Sequence, residues 1–157
     1  MMNAITFQNQ YNFSGSFSWL SYNPQTYKKL VDKIPDWSKK NILIVEDDDT
    51  NAYLLKAYLK KTGATLILVK DGQKAVDVCN SSLIIDLVLM DIRLPVMNGF
   101  IATQRIKESR KDLPVIAQTA YTQNSDVNNA FKAGCDDFLP KPIAQEQLFS
   151  VLSKYLG

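Results

Sequence analysis

The sequence predicts an α/β protein built on a doubly wound, five-stranded parallel sheet. Two apolar runs that stop on acids are the first sign: Ile84 to Asp91, and Asn41 to Val45 with Glu46, Asp47, Asp48 and Asp49 directly after it. The second is that such runs alternate with stretches of helical spacing five times from Asn41 onward. Leu87, Val88, Leu89 and Met90 leave no polar face, as in a parallel strand covered on both sides. Ligands of open parallel sheets gather beyond the carboxyl ends of the strands, which sets Asp91 where chemistry is done. If the two acid-tipped strands are neighbours, their carboxylates converge. Two unit charges about 4 Å apart repel by roughly 4 kcal/mol at an effective dielectric of about 20, so the cluster calls for raised pKa values or a hard divalent cation.

In chain order, residues 1 to 27 hold no charged side chain, while residues 1 to 40 hold eight of the sixteen aromatics. Ile5 and Phe7, Tyr11 and Phe13, and Phe17 and Trp19 alternate with polar neighbours around a Ser14-Gly15-Ser16 turn, a pattern of short amphipathic strands. The stretch reads either as an extension packed on its own domain or as an arm for a partner. Pro24 and Pro35 interrupt a short helical pattern around Tyr27 to Ile34, and Asp36 to Lys40 reads as a linker. The expected division is an N-terminal extension and linker over 1–40 and a compact domain over 41–157.

Within that domain, Ala52, Leu55, Tyr58 and Leu59 fall at helical spacing after the acidic rim, and Gly63 closes the helix. Leu66 to Val69 is the second strand. Asp71-Gly72 then turns the chain into a short helix that buries Ala75, Val76 and Cys79. Ile84 to Asp91 is the third strand, and Pro95 and Gly99 punctuate a loop before a helix over Phe100 to Glu108, with Thr103 and Ile106 inward. Pro114 opens the fourth strand, Val115 to Ala120, followed by a helix over about Asp126 to Ala133 that ends at Gly134. Phe138-Leu139 is a brief fifth strand, and Leu148, Val151, Leu152 and Tyr155 form the stripe of the last helix.

Composition narrows the function. A chain of 157 residues, 46% hydrophobic and 22% charged, fits one globular domain with some extra chain. Its formal charge of +2 is uneven: five Lys against two Asp in residues 1 to 40, and 13 basic against 14 acidic residues in the remainder. The domain itself, near neutral and without a basic stripe, carries no electrostatic footprint for nucleic acid. Cys79 and Cys135 stand far apart, as free thiols in a reducing compartment do. No basic-then-apolar leader and no run of about 20 apolar residues occurs, so a soluble cytoplasmic protein without a membrane span is expected. Histidine is absent, which removes Ser-His, Cys-His and zinc-protease schemes and leaves carboxylates, Lys, Thr, Ser and Tyr.

Two more strand ends complete a constellation: Thr119 at the fourth, and Lys141, between Pro140 and Pro142, after the fifth. A carboxylate nucleophile, a carboxylate pair for a metal, a hydroxyl and an ammonium suit phosphoryl transfer onto Asp91, with Mg²⁺ as the matching cation. Asp48 and Asp49 read as helix caps ahead of a metal role, Thr119 alone as an ordinary strand residue, and Phe138 equally as core or as a mobile ring.

In order and in spacing, Glu46-Asp47, Met90-Asp91, Pro95 with Gly99, Thr119-Ala120 and Lys141-Pro142 resemble the receiver domain of two-component response regulators over about Asn41 to Gly157. The pattern leans toward receivers of hybrid sensor histidine kinases, with Asn51 matching and Asp48 standing where Asn is common. The resemblance implies the flavodoxin-like strand order 2-1-3-4-5. It implies that Asp91 accepts a phosphoryl group from a histidine kinase or histidine phosphotransfer domain in another chain. It further implies Mg²⁺ bound by Asp47 and Asp91, by Glu46 through a water, and by the backbone carbonyl of Arg93. Thr119 and Phe138 would form a switch that alters the face of the fourth helix, fifth strand and fifth helix, Lys141-Pro142 would be cis, and Arg93 and Tyr121 would border the path of hydrolytic water. A long-lived phosphoryl group is expected, because both are large and neither orients water. A homodimer is among the expected assemblies. The competing readings are a haloacid-dehalogenase-like phosphatase, disfavoured by Arg93 where that family has a second Asp, and a degenerate docking receiver, disfavoured by the intact acids and Lys141.

Overall fold

The computed structural model describes residues 34–120 and 124–157. Of the expected extension and linker over residues 1–40, residues 1–33 lie outside the described residues, as does the site residue Tyr121. The compact unit runs from Ile34 to Gly157.

Five strands, β1 (Asn41–Val45), β2 (Thr65–Val69), β3 (Leu87–Asp91), β4 (Val115–Thr119) and β5 (Asp137–Pro140), form one parallel sheet in the order β2-β1-β3-β4-β5. The helices are α1 (Asp49–Leu59), α2 (Gly72–Cys79), α3 (Gly99–Ser109), α4 (Asn124–Ala133) and α5 (Gln145–Leu156). β3 and β4 are buried along their whole length and β1 along nearly all of it, which is why the middle strands read as unbroken apolar runs. Alternate residues feed opposite faces. Leu43, Val45, Val88, Met90, Val115 and Ala117 pack with Ala75, Val76, Ala102, Ile106 and Ala130 of α2, α3 and α4. Ile42, Ile44, Leu87, Leu89, Ile116 and Leu139 pack with Leu55 and Leu59 of α1 and Leu148, Val151, Leu152 and Leu156 of α5.

Helix starts follow side-chain chemistry. Asp48, Asp71 and Asn98 each accept a hydrogen bond from the backbone N–H three residues on, at 2.8, 2.8 and 3.0 Å, which satisfies one donor of the open first turn. Asp48 is thus the cap of α1. A single 3₁₀ turn, Lys60–Thr62, extends that helix before Gly63, whose φ of 77° turns the chain toward β2.

Several expected bounds shift. The third strand begins at Leu87 rather than Ile84, because Ile84 is 72% exposed and the Asp86 carboxylate accepts the N–H of Asn41 at 2.7 Å. β4 ends at Thr119, β5 spans four residues and α4 begins at Asn124. The linker expected at Asp36 to Lys40 is part of the fold. Trp37 is buried among residues of α1 and α5, donates its ring N–H to the carbonyl of Gly157 at 2.9 Å and its backbone N–H to Thr62 at 2.7 Å, and meets the ring of Phe149 edge-on at 5.8 Å. Charged neighbours conceal it in the sequence: Asp36, Lys39 and Lys40 surround the one aromatic that decides the boundary.

Candidate functional site

The register brings the acid-tipped strands together. Val45 lies opposite Met90, so Glu46 and Asp47 leave β1 level with Asp91 at the end of β3. One oxygen from each of the three carboxylates lies within 4.8 Å of the others. Glu46 and Asp91 are buried, at 1% and 6% exposure, while Asp47 faces solvent. Glu46 is held at one oxygen by Asn51 Nδ2 and the N–H of Asp48, both at 3.3 Å.

Lys141 enters from beyond β5. Its backbone N–H donates to the Thr119 carbonyl at 2.7 Å, and the Lys141-Pro142 peptide is cis. Its ammonium donates to Asp91 Oδ2 at 2.6 Å and to Glu46 Oε2 at 2.7 Å, while the other Asp91 oxygen accepts the Arg93 N–H at 2.9 Å. One ammonium serves two buried carboxylates, and the titration follows. Burial pushes the Glu46 carboxyl above its usual range, the Lys141 hydrogen bond opposes this, and the charge of Asp91 adds to the rise. For Lys141, burial favours the neutral amine, but hydrogen bonds to Asp91 and Glu46 outweigh it and hold the ammonium above its ordinary pKa.

With Asp47 included, three carboxylates face one ammonium, a formal surplus of two negative charges. These are hard oxygen donors, so the surplus and the donor type both fit a hard divalent cation. A cavity of about 450 Å³ opens beside them, lined by Asn51, Asp91, Arg93, Gln118, Thr119 and Lys141 among others. Arg93 is exposed at its edge and Thr119 is buried. Phe138 does not line the cavity; half-buried on β5, it packs edge-on against Phe131 of α4 at 6.3 Å.

The loop after Asp91 lies tight against the site. A Cβ on Gly99 would stand 2.1 Å from the Asp91 carbonyl oxygen, and one on Gly72 would stand 2.3 Å from that of Met97. Between them Val96 adopts a φ of 64°, with the Met97 N–H turned back to Pro95 at 2.6 Å. Sequence reasoning passes over Gln118, whose amide is buried at 0% exposure on β4. A polar residue inside the run Val115 to Ala120 is the signal that could have found it.

The model of the response regulator receiver domain matches residues 42–153. The chain belongs to the response regulator receiver family. Other receivers place it further. Hybrid signal transduction histidine kinase I of Dictyostelium discoideum is 31% identical over 148 residues, 89% of this chain and 8% of that protein. The chain therefore spans less than a tenth of the length of that relative. The receiver domain of sensor histidine kinase PA1611 from Pseudomonas aeruginosa, a crystal structure with a magnesium ion coordinated in its active-site cleft, is 36% identical with a TM-score of 0.70, covering 75% of this chain and 98% of that one. The co-crystal structure of the Saccharomyces cerevisiae histidine phosphotransfer protein Ypd1 with the receiver domain of Ssk1 matches at 29% identity and a TM-score of 0.71, over 79% of this chain and 91% of that one. Among the described residues of this receiver, no helix is long and apolar enough to cross a membrane.

Proposed function

We propose that this receiver accepts a phosphoryl group on Asp91 from a phosphohistidine of a separate histidine kinase or phosphotransfer domain, in the cytoplasm, as a step of a phosphorelay. The observation that carries this reading is the Asp91 carboxylate held between the Lys141 ammonium and the Arg93 N–H, beside two further carboxylates. In the transfer an Asp91 oxygen bonds to phosphorus as the N–P bond breaks, and the imidazole nitrogen keeps the electron pair. The Arg93 N–H fixes the rotation of the carboxylate, so little reorientation is left to the moment of reaction.

The Lys141 ammonium neutralises Asp91 before transfer and would then follow charge onto the phosphoryl oxygens; Thr119 lines the same cavity, and its hydroxyl would bond one of them. Glu46, Asp47, Asp91 and the Arg93 carbonyl would hold Mg²⁺, which when bound offsets the charge of the phosphoryl oxygens. Coupling to a surface would run through Thr119 and Phe138 to the face of α4, β5 and α5, where the Phe138 ring meets Phe131. A homodimer through that face and a long-lived phosphoryl group shielded by Arg93 and Tyr121 belong to the same reading.

Incubation with acetyl phosphate tests it. Asp91 is labelled in the presence of Mg²⁺ and not after chelation, and Asp91→Asn takes no label. Labelling of Asp91→Asn at the parent rate would overturn the assignment.

A further inference from the structure

Gln118 is the residue whose chemistry the fold leaves unexplained. Its side chain is fully buried, and among the described residues its amide nitrogen and oxygen are the buried side-chain polar atoms without a hydrogen-bond partner. Burying an unpaired amide in the middle of a sheet is unfavourable, and a β-branched apolar residue would serve β4 better. The position is not a neutral one. Gln118 pairs with Asp91 across β3 and β4, and with Leu139 across β4 and β5. Successive residues of a strand alternate between faces, so Asp91, Gln118 and Leu139 share one face, and Lys141 follows two residues after Leu139. Gln118, Asp91, Thr119 and Lys141 also line the same cavity. The Lys141 ammonium has three protons, and the carboxylates of Asp91 and Glu46 take two of them.

We propose that Gln118 is a positioning residue for phosphoryl transfer: its amide oxygen accepts a hydrogen bond from the Lys141 ammonium as that group leaves Asp91 to follow the phosphoryl oxygens. The inference rests on the phosphoacceptor reading of Asp91. In the unphosphorylated chain Lys141 is held by two carboxylates and Gln118 stands in reserve. Once Asp91 forms a bond to phosphorus, its oxygen loses the charge that held the ammonium, and Gln118 supplies a neutral acceptor beside the new position. A neutral amide suits this role because a third carboxylate would hold Lys141 back.

The test uses the full chain and Gln118→Met, which keeps length and removes both polar atoms. Its melting temperature should equal or exceed that of the parent, since an unpaired buried amide is gone. Its rate of labelling by acetyl phosphate should fall about tenfold, equivalent to ~1.4 kcal/mol of barrier. In a Lys141→Ala background the same substitution should change the residual rate by less than about twofold, because the two residues act as one unit. A parent-like rate for Gln118→Met, or an equal fall in both backgrounds, would overturn the proposal. Failure of the parent to take label at all would instead sink the phosphoacceptor reading, and this inference with it.

Discussion

Burial decides what single side chains can do in this receiver. Cys79, the last residue of α2, and Cys135, two residues beyond α4, sit in the core, and burial pushes each thiol up to about 11; for Cys135 the hydrogen bond toward Thr103 opposes the rise. Neither is a poised nucleophile. Both should resist iodoacetamide at pH 8 in the folded protein and react at once in denaturant, read by mass. Because the folded pKa values lie above the unfolded ones, near 9.0, the folded chain holds the protons more tightly between the two. Their contribution is therefore fully present below about pH 9 and is lost as the pH rises through about 11, each thiol giving up ~1.4 kcal/mol for every tenfold fall in proton concentration across that window. Denaturant unfolding at about pH 8 and about pH 10.5 should reveal that decline, and a Cys79→Ala, Cys135→Ala variant should show a shallower one. An identical slope in the two proteins would mean that other groups govern it.

Among the elements, the loop from β3 to α3 combines a left-handed Val96 with a glycine that has no room for a Cβ. Val96 is β-branched, 88% exposed and left-handed, so its conformation gains nothing from packing and costs about 1–2 kcal/mol. Val96→Asn should raise stability by roughly 0.5–1 kcal/mol in urea titrations, since Asn tolerates that region. Gly99→Ala should do the opposite. Its Cβ would collide with the backbone of Asp91 and Ile92, so a loss of about 2 kcal/mol or more and slower labelling of Asp91 are expected. A stable, fully active Gly99→Ala would show that the loop yields freely.

Much of this element structure is legible in the sequence. The alternation of strands and helices along the chain, the acid-tipped strand ends and the inward stripes follow from periodicity, because middle strands of a parallel sheet have no polar face to blur the signal; that the two acid-tipped strands are neighbours follows only from the family resemblance. The errors come from the same rule. Ile84 is apolar yet exposed, and carrying the third strand back to it passes over Asp86, the charged residue just before the strand begins; Gln118 is polar yet buried, so periodicity assigns it no role. Pattern records which residues are apolar; it does not record which polar atoms find partners.

At the scale of the whole described unit, one side chain joins three distant parts of the chain. Trp37 links the segment before β1 to the 3₁₀ turn after α1 and to the end of α5, through two hydrogen bonds and the ring of Phe149. Trp37→Ala should cost about 3–5 kcal/mol in equilibrium unfolding, whereas Trp37→Phe, which keeps an aromatic ring but loses the ring N–H, should cost roughly 1–2 kcal/mol. If Trp37→Ala were no less stable than Trp37→Phe, packing at this site would be dispensable.

The arrangement of one ammonium among three carboxylates also governs encounter. The described unit, residues 34–157, is formally neutral, with 15 basic against 15 acidic side chains, yet its rim carries a local surplus of two negative charges. An approaching anion therefore meets no net attraction at long range and is repelled over the last few ångströms, inside one Debye length of about 8 Å at physiological ionic strength. Added salt should then speed rather than slow the arrival of a small anionic donor, the reverse of a site that captures phosphate on a basic patch. A bulky partner escapes that penalty, because it can bring its own cations to the rim and use contact elsewhere on the surface to cross the barrier.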